Sequence, residues 1–151
     1  MSLIVQKFGG TSVGSTDRIK NVAKRVAHYR REGHRIVVVV SAMSGETNRL
    51  LGLAKELSAS PDPRELDVIA ATGEQVTIGL LAIALKEMGI PAKSYTGGQV
   101  RVLTDSAYTK ARILEIDEAA MRKDLDAGTA VVVAGCQGVE RAGSITTLGR
   151  G

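Results

Sequence analysis

The chain has 151 residues, with 20 Lys and Arg against 16 Asp and Glu, a net charge of +4, one Cys and no Trp. That length suits one domain, and aliphatic runs such as Ile36–Val40 exclude a disordered chain, while the single Cys136 excludes an internal disulfide framework. Three Tyr and one Phe provide few stacking platforms for nucleic acid, so the modest positive excess points instead to small anionic partners.

Leu3 to Phe8 reads as a short buried strand that runs into a Gly9-Gly10 turn. From Asp17 the spacing of Ile19, Val22, Ala23 and Val26 predicts a surface helix, with Thr16 or Asp17 as its cap and Gly33 at its end. Its outer face carries Arg18, Lys20, Lys24, Arg25, Arg30 and Arg31, the pattern of a solvated helix surface. Arg35 to Val40 lacks alternation and is expected to be a central strand covered on both faces. Leu50, Leu51, Leu53, Ala54 and Leu57 mark a second helix, and Pro63 opens a third through Leu66, Val68 and Ile69. The polar Thr72-Gly73-Glu74-Gln75 then predicts a bend or a junction of two helices before Ile78, Leu81, Leu85 and Met88. Beyond Gly89, strands are expected at Ala92–Tyr95, Ile113–Ile116 and Ala130–Ala134, and a helix over Asp117–Asp126 capped by Asp117. The Gly- and Thr-rich stretch from Gly138 to Gly151 reads as a hairpin or loop. No window approaches the roughly 18–20 uninterrupted apolar residues of a bilayer span, and no signal peptide is recognisable. Strand, turn and helix alternate twice at the start, so an α/β fold on a mostly parallel sheet is expected.

Several segments have the residue types for chemistry. Lys7-Phe8-Gly9-Gly10-Thr11-Ser12 lies at the carboxyl end of the first strand, where open α/β sheets place ligands. The glycines admit close backbone approach and the lysine adds a cation, which suits a phosphate; the same residues also read as a tight turn with a surface lysine. Neither phosphate-binding fingerprint fits, because Ser15 stands where the nucleoside-triphosphate loop requires lysine and the dinucleotide spacing is wrong. Ser41-Ala42-Met43-Ser44-Gly45, followed by Thr47, offers small hydroxyl donors at the end of the most apolar strand, or simply caps the helix that begins at Glu46. Glu74 sits between apolar helical segments, where a carboxylate needs a partner such as a bound ammonium unless it caps a helix near solvent. Arg150, between Gly149 and Gly151, can grip a carboxylate at two points. Cys136 is expected to be a small core residue, and His28 and His34 form no metal pattern.

Taken in order, Lys7–Val13, Val40–Gly45, Thr72–Gln75, Ala134–Gly138 and Thr146–Gly151 resemble the aspartate kinases, members of the amino-acid kinase superfamily. The resemblance implies a three-layer αβα sandwich and transfer of the ATP γ-phosphoryl group to the side-chain carboxylate of L-aspartate. It further implies ATP and Mg2+ as cofactors and a place in lysine, threonine and methionine biosynthesis. Residue by residue, it implies that Lys7, Gly9 and Gly10 contact phosphates, with Lys7 catalytic. Ser41 then sits at the junction of substrate and phosphoryl group, Thr47 and Glu74 hold the aspartate, and Arg150 with Gly151 takes its α-carboxylate. No metal ligand is assigned within 1–151. The family pattern continues past Gly151 into an ATP-binding half and regulatory domains. The stretch 1–151 is therefore expected to be the aspartate-binding part, inactive alone and presenting an apolar edge. A cytoplasmic homo-oligomer without nucleic-acid or membrane partners is expected, and a non-catalytic module that binds an acidic amino acid is the alternative.

Overall fold

The computed structural model describes residues 2–149. Its elements run β1 (Leu3–Phe8), α1 (Thr16–Arg31), β2 (Arg35–Val40), α2 (Glu46–Leu57), α3 (Pro63–Glu87), β3 (Ala92–Tyr95), β4 (Val102–Thr104), β5 (Ile113–Ile116), α4 (Ala119–Asp126), β6 (Ala130–Ala134), β7 (Gln137–Val139) and β8 (Ile145–Thr147). Strands β1, β2, β6 and β3 form a parallel sheet in that order, with the β-branched runs of β2 and β6 in its interior as their composition requires. Phe8 lies opposite Val40, and Val40 opposite Ala134, so three strands end side by side. The loops that leave them therefore share one rim of the sheet.

Helices α1 and α3 cover one face over Ile36, Val38 and Val40, which are fully buried. Each such side chain contributes about 1.5–3 kcal/mol of burial. The other face packs Val131 and Val133 against Leu125 of α4, completing the third layer. Along β1 this second face is open: Leu3 is 41% and Val5 64% exposed, and β1 forms the sheet edge among the described residues. The open apolar surface thus lies along β1, while Arg35–Val40 and Ala130–Ala134 each have a neighbour on both sides.

Helix starts differ from expectation by a residue or two, because hydrogen bonds decide them. Ser15, with extended backbone, caps α1 by accepting from the Arg18 amide at 3.2 Å, in place of Thr16 or Asp17. Glu118 precedes α4, while Asp117 accepts from the Ala119 amide at 3.1 Å. A second sheet, in the order β5-β4-β7-β8, accounts for the remaining strands. It includes β4, which its weak pattern did not reveal, and Ile113–Ile116, which pairs antiparallel with β4 away from the main sheet. The Gly-rich tail forms the expected hairpin, β7 with β8.

The break expected at Thr72–Gln75 is absent: α3 runs unbroken for 25 residues from a cap in which Asp62 accepts from the Glu65 amide at 3.2 Å. Gly73 has a packing role instead. A Cβ there would lie 2.8 Å from the Ala42 Cβ, so only glycine lets the helix approach the loop after β2 this closely. Read whole, α3 is long and apolar enough by length and composition to cross a bilayer, with a mean hydropathy of 1.7 over its most apolar window, although Thr72, Glu74, Gln75 and Thr77 interrupt its apolar run. Here Ile78, Leu81 and Leu85 face the core between α1 and the sheet.

Candidate functional site

Parallel strand ends bring three loops together, and backbone contacts lock them. After β1, Ser12 donates to the Gly9 carbonyl at 3.0 Å and Val13 to that of Gly10 at 3.3 Å, winding a tight turn. Its Gly10 and Thr11 amides have no partner among the described residues. Ser41 donates to the Phe8 carbonyl at 3.1 Å and Ser44 to that of Gly10 at 3.2 Å, joining the turn to the β2–α2 loop. A Cβ on Gly10 would meet the Ala42 carbonyl oxygen at 3.0 Å, which explains glycine at that position. Gly45, with φ +81°, starts α2 without a side-chain cap. That leaves the positive end of α2, at Thr47 and Asn48, facing the space between the loops.

This space is a cleft of about 610 Å³. Gly10, Ser41, Thr47 and Glu74, four of the residues singled out in the sequence, line it together. Lys7 and Gly9 do not. Lys7 alternates with buried Phe8 and so lies on the open sheet face, exposed to solvent, and Gly9 is exposed beside the cleft. Arg150 and Gly151 lie outside the described residues.

Glu74 dominates the electrostatics. It projects from the middle of α3 and is 8% exposed, and its Oε2 is buried with no hydrogen-bond partner among the described residues. Burial raises its pKa from 4.5 to about 7, outweighing the opposite pull of its backbone and of the Gln137 side chain. A half-satisfied carboxylate lining a cleft is a place for a cation, and the small α2 residues opposite can receive an anion. The site thus suits a small zwitterion.

Cys136 is not a core residue. The two-residue turn between β6 and β7 forces it to φ +60°, and its side chain is exposed on the cleft wall. Asp67, which shapes the site, went unnoticed in the sequence, and Thr147 and Gln137 lay inside the Thr146–Gly151 and Ala134–Gly138 segments with no role of their own. Gln137 accepts from Gly97 at 3.2 Å and donates to the Ala71 carbonyl at 3.1 Å, tying α3 to β7. Asp67 had a readable signal, since it lies seven residues before Glu74 on the same face of an apolar helix.

The amino acid kinase family model matches residues 2–151. The chain belongs to the amino acid kinase family. Among the relatives of this amino acid kinase chain, the aspartate kinase of Stutzerimonas stutzeri and the aspartokinase of Pseudomonas aeruginosa are each 66% identical over 151 residues. An aspartokinase of Thermus thermophilus is 52% identical. The alignments take in all of this chain and 37% of each relative, so it spans little more than a third of their length. The crystal structure of an aspartate kinase from Synechocystis superposes with a TM-score of 0.81 at 45% identity, over 99% of this chain and 24% of that one. That of E. coli aspartokinase III with aspartate and ADP reaches 0.85 at 24% identity, over 99% and 44%, a likeness of fold.

Proposed function

We propose that this amino acid kinase chain forms the aspartate-binding part of an aspartate kinase, which transfers the ATP γ-phosphoryl group to the side-chain carboxylate of L-aspartate. The buried, unpartnered Glu74 Oε2 in the cleft carries the reading, because it asks for a cation of the size of an α-ammonium group. The aspartate kinase relatives at 66% identity support the substrate. Glu74 holds the ammonium, Thr47 at the open end of α2 receives a carboxylate, and Arg150 grips the α-carboxylate at two points.

The aspartate β-carboxylate has a pKa of roughly 3.9 and is already ionised at neutral pH, so attack on the γ-phosphorus needs no general base. A carboxylate oxygen bonds to phosphorus as the bond to the β-phosphate oxygen breaks, leaving 4-phospho-L-aspartate and ADP. The protein's task is positioning and charge neutralisation. Gly10 supplies backbone donors beside the cleft, Gly9 lets the chain pass close, Ser41 stands where the carboxylate meets the phosphoryl group, and Lys7 is the mobile cation. No three His, Cys, Asp or Glu side chains cluster among the described residues; Mg2+, which needs only one or two carboxylates beside the nucleotide phosphates, would come with ATP and neutralise the phosphoryl charge. Placement in lysine, threonine and methionine biosynthesis, in a cytoplasmic homo-oligomer, follows from the same reading.

Titration calorimetry with L-aspartate and with a non-hydrolysable ATP analogue, alongside hydroxylamine trapping of acyl phosphate, tests the proposal. Saturable aspartate binding that Glu74→Gln abolishes supports it, and absence of aspartate binding refutes it. Aspartate binding and no response to nucleotide in the whole protein would instead make this a non-catalytic amino-acid-binding module.

A further inference from the structure

The cleft contains a second buried carboxylate that the proposed chemistry does not use. Asp67 lies two turns before Glu74 on α3 and is 1% exposed. Its Oδ2 accepts from the amides of Thr109 at 2.9 Å and Thr147 at 3.0 Å, and its Oδ1 accepts from the Thr147 hydroxyl at 2.6 Å. No ion pair among the described residues includes it. A buried carboxylate without a counter-ion persists only if dipoles satisfy it, and here three donors from segments 42 and 80 residues away do so.

Those two segments are already joined. Ala111 donates to the Thr147 carbonyl at 2.9 Å and Gly149 to that of Ala111 at 3.1 Å, so the 107–111 loop and the strand end at 147–149 move as one piece. Within it Thr109 holds φ +72°, an unfavourable backbone for a β-branched residue that its surroundings must impose. Asp67 is the side chain that bolts this piece to α3. Thr109, Thr147, Asp67 and Glu74 all line the cleft, and Arg150 follows Gly149 in the chain.

We infer that Asp67 is a positioning residue: by holding Thr109 and Thr147 against α3, its carboxylate sets the width of the cleft between the ammonium site at Glu74 and the wall formed by Thr109 and Thr147. Both its oxygens are turned to protein donors, so it contacts no substrate. The effect on binding rests on the proposal that the cleft takes aspartate, whereas the mechanical part does not.

Asp67→Asn tests both parts, because it keeps the shape and turns an NH2 group toward amide donors. Amide hydrogen exchange at Thr109 and Thr147 should speed up by about tenfold or more relative to β6, and the Kd for L-aspartate should rise by a similar factor. The affinity for a nucleotide analogue should stay the same. A merely structural role would reduce the folded fraction, and so the binding stoichiometry, and leave Kd unmoved. Thr147→Val removes only the hydroxyl donor; it should shift exchange and Kd in the same direction by about threefold, and adding it to Asp67→Asn should do little more. If Asp67→Asn does not fold, Thr147→Val provides both readouts. Unchanged exchange at Thr109 and Thr147 in the folded variant overturns the clamp. Unchanged aspartate Kd beside normal wild-type binding overturns its role in the site. If the wild type itself ignores aspartate, the proposed function fails, and exchange alone decides the clamp.

Discussion

Replacing Glu74 by Gln should make the empty chain more stable at alkaline pH while removing its affinity for aspartate. A carboxyl whose pKa climbs from 4.5 in the unfolded chain to about 7 in the fold binds its proton more tightly when folded. Its stabilising contribution is therefore fully present below pH 4.5 and is lost as pH rises through 7. At roughly 1.4 kcal/mol per pH unit, the ionised form then costs the fold about 3 kcal/mol at pH 8. Gln cannot ionise. Urea unfolding should thus give similar midpoints for wild type and Glu74→Gln near pH 4. At pH 8 the variant should be more stable by about 3 kcal/mol, a midpoint higher by about 1–3 M for an m-value of about 1–3 kcal/mol/M. Calorimetry supplies the second half. Wild-type affinity for aspartate should fall as pH drops below about 7, with proton release on binding, whereas the variant should bind weakly at every pH. If Glu74→Gln is less stable than wild type at pH 8, the carboxylate already has a partner in the empty fold and the reasoning fails.

Gly73→Ala places a methyl 2.8 Å from that of Ala42, so overpacking of about 1–3 kcal/mol should outweigh about 1 kcal/mol of added helix propensity. Adding Ala42→Gly should recover most of the loss, and strictly additive denaturation energies would show that the two methyls do not collide. Lys7→Ala in the whole protein should cut turnover far more than aspartate affinity, as steady-state kinetics would resolve; equal losses would place the lysine on the amino acid. Iodoacetamide should label the exposed Cys136, and saturating aspartate should slow that labelling if the ligand fills the cleft the thiol lines. A rate indifferent to aspartate would put the bound amino acid out of the thiol's reach.

Where hydrophobic pattern alone carries the information, the sequence was sufficient. Leu3–Phe8, Arg35–Val40 and Ala130–Ala134 are strands at the residues their apolar runs mark, because β-branched side chains in such runs find burial in a parallel sheet; Ala92–Tyr95, Ala-Lys-Ser-Tyr, is a strand with a much weaker pattern. Pro63 and Gly89 bound α3 as their backbone chemistry demands. Gly10, Ser41 and Thr47 were visible as chemistry-bearing types near strand or helix ends and Glu74 as a carboxylate within an apolar helical segment, and the fold gathers them in one cleft. Other features had no local signal. Gly73 looks like a helix breaker until Ala42 is seen packed against it, and the three-residue strands β4, β7 and β8 are too short for any period to register. Cys136 faces the cleft because a two-residue turn reverses the direction its apolar neighbours suggest. Asp67 could be seen to share a helix face with Glu74, but nothing local showed the donors 42 and 80 residues distant that clamp it. Sequence by itself thus determined the sheet, the helices and the kinds of residue at the site, since these follow from local pattern and backbone freedom. Tertiary structure alone decided which glycine serves packing, which carboxylate stands unpaired and which is clamped, because burial and hydrogen-bond satisfaction depend on neighbours remote in the chain.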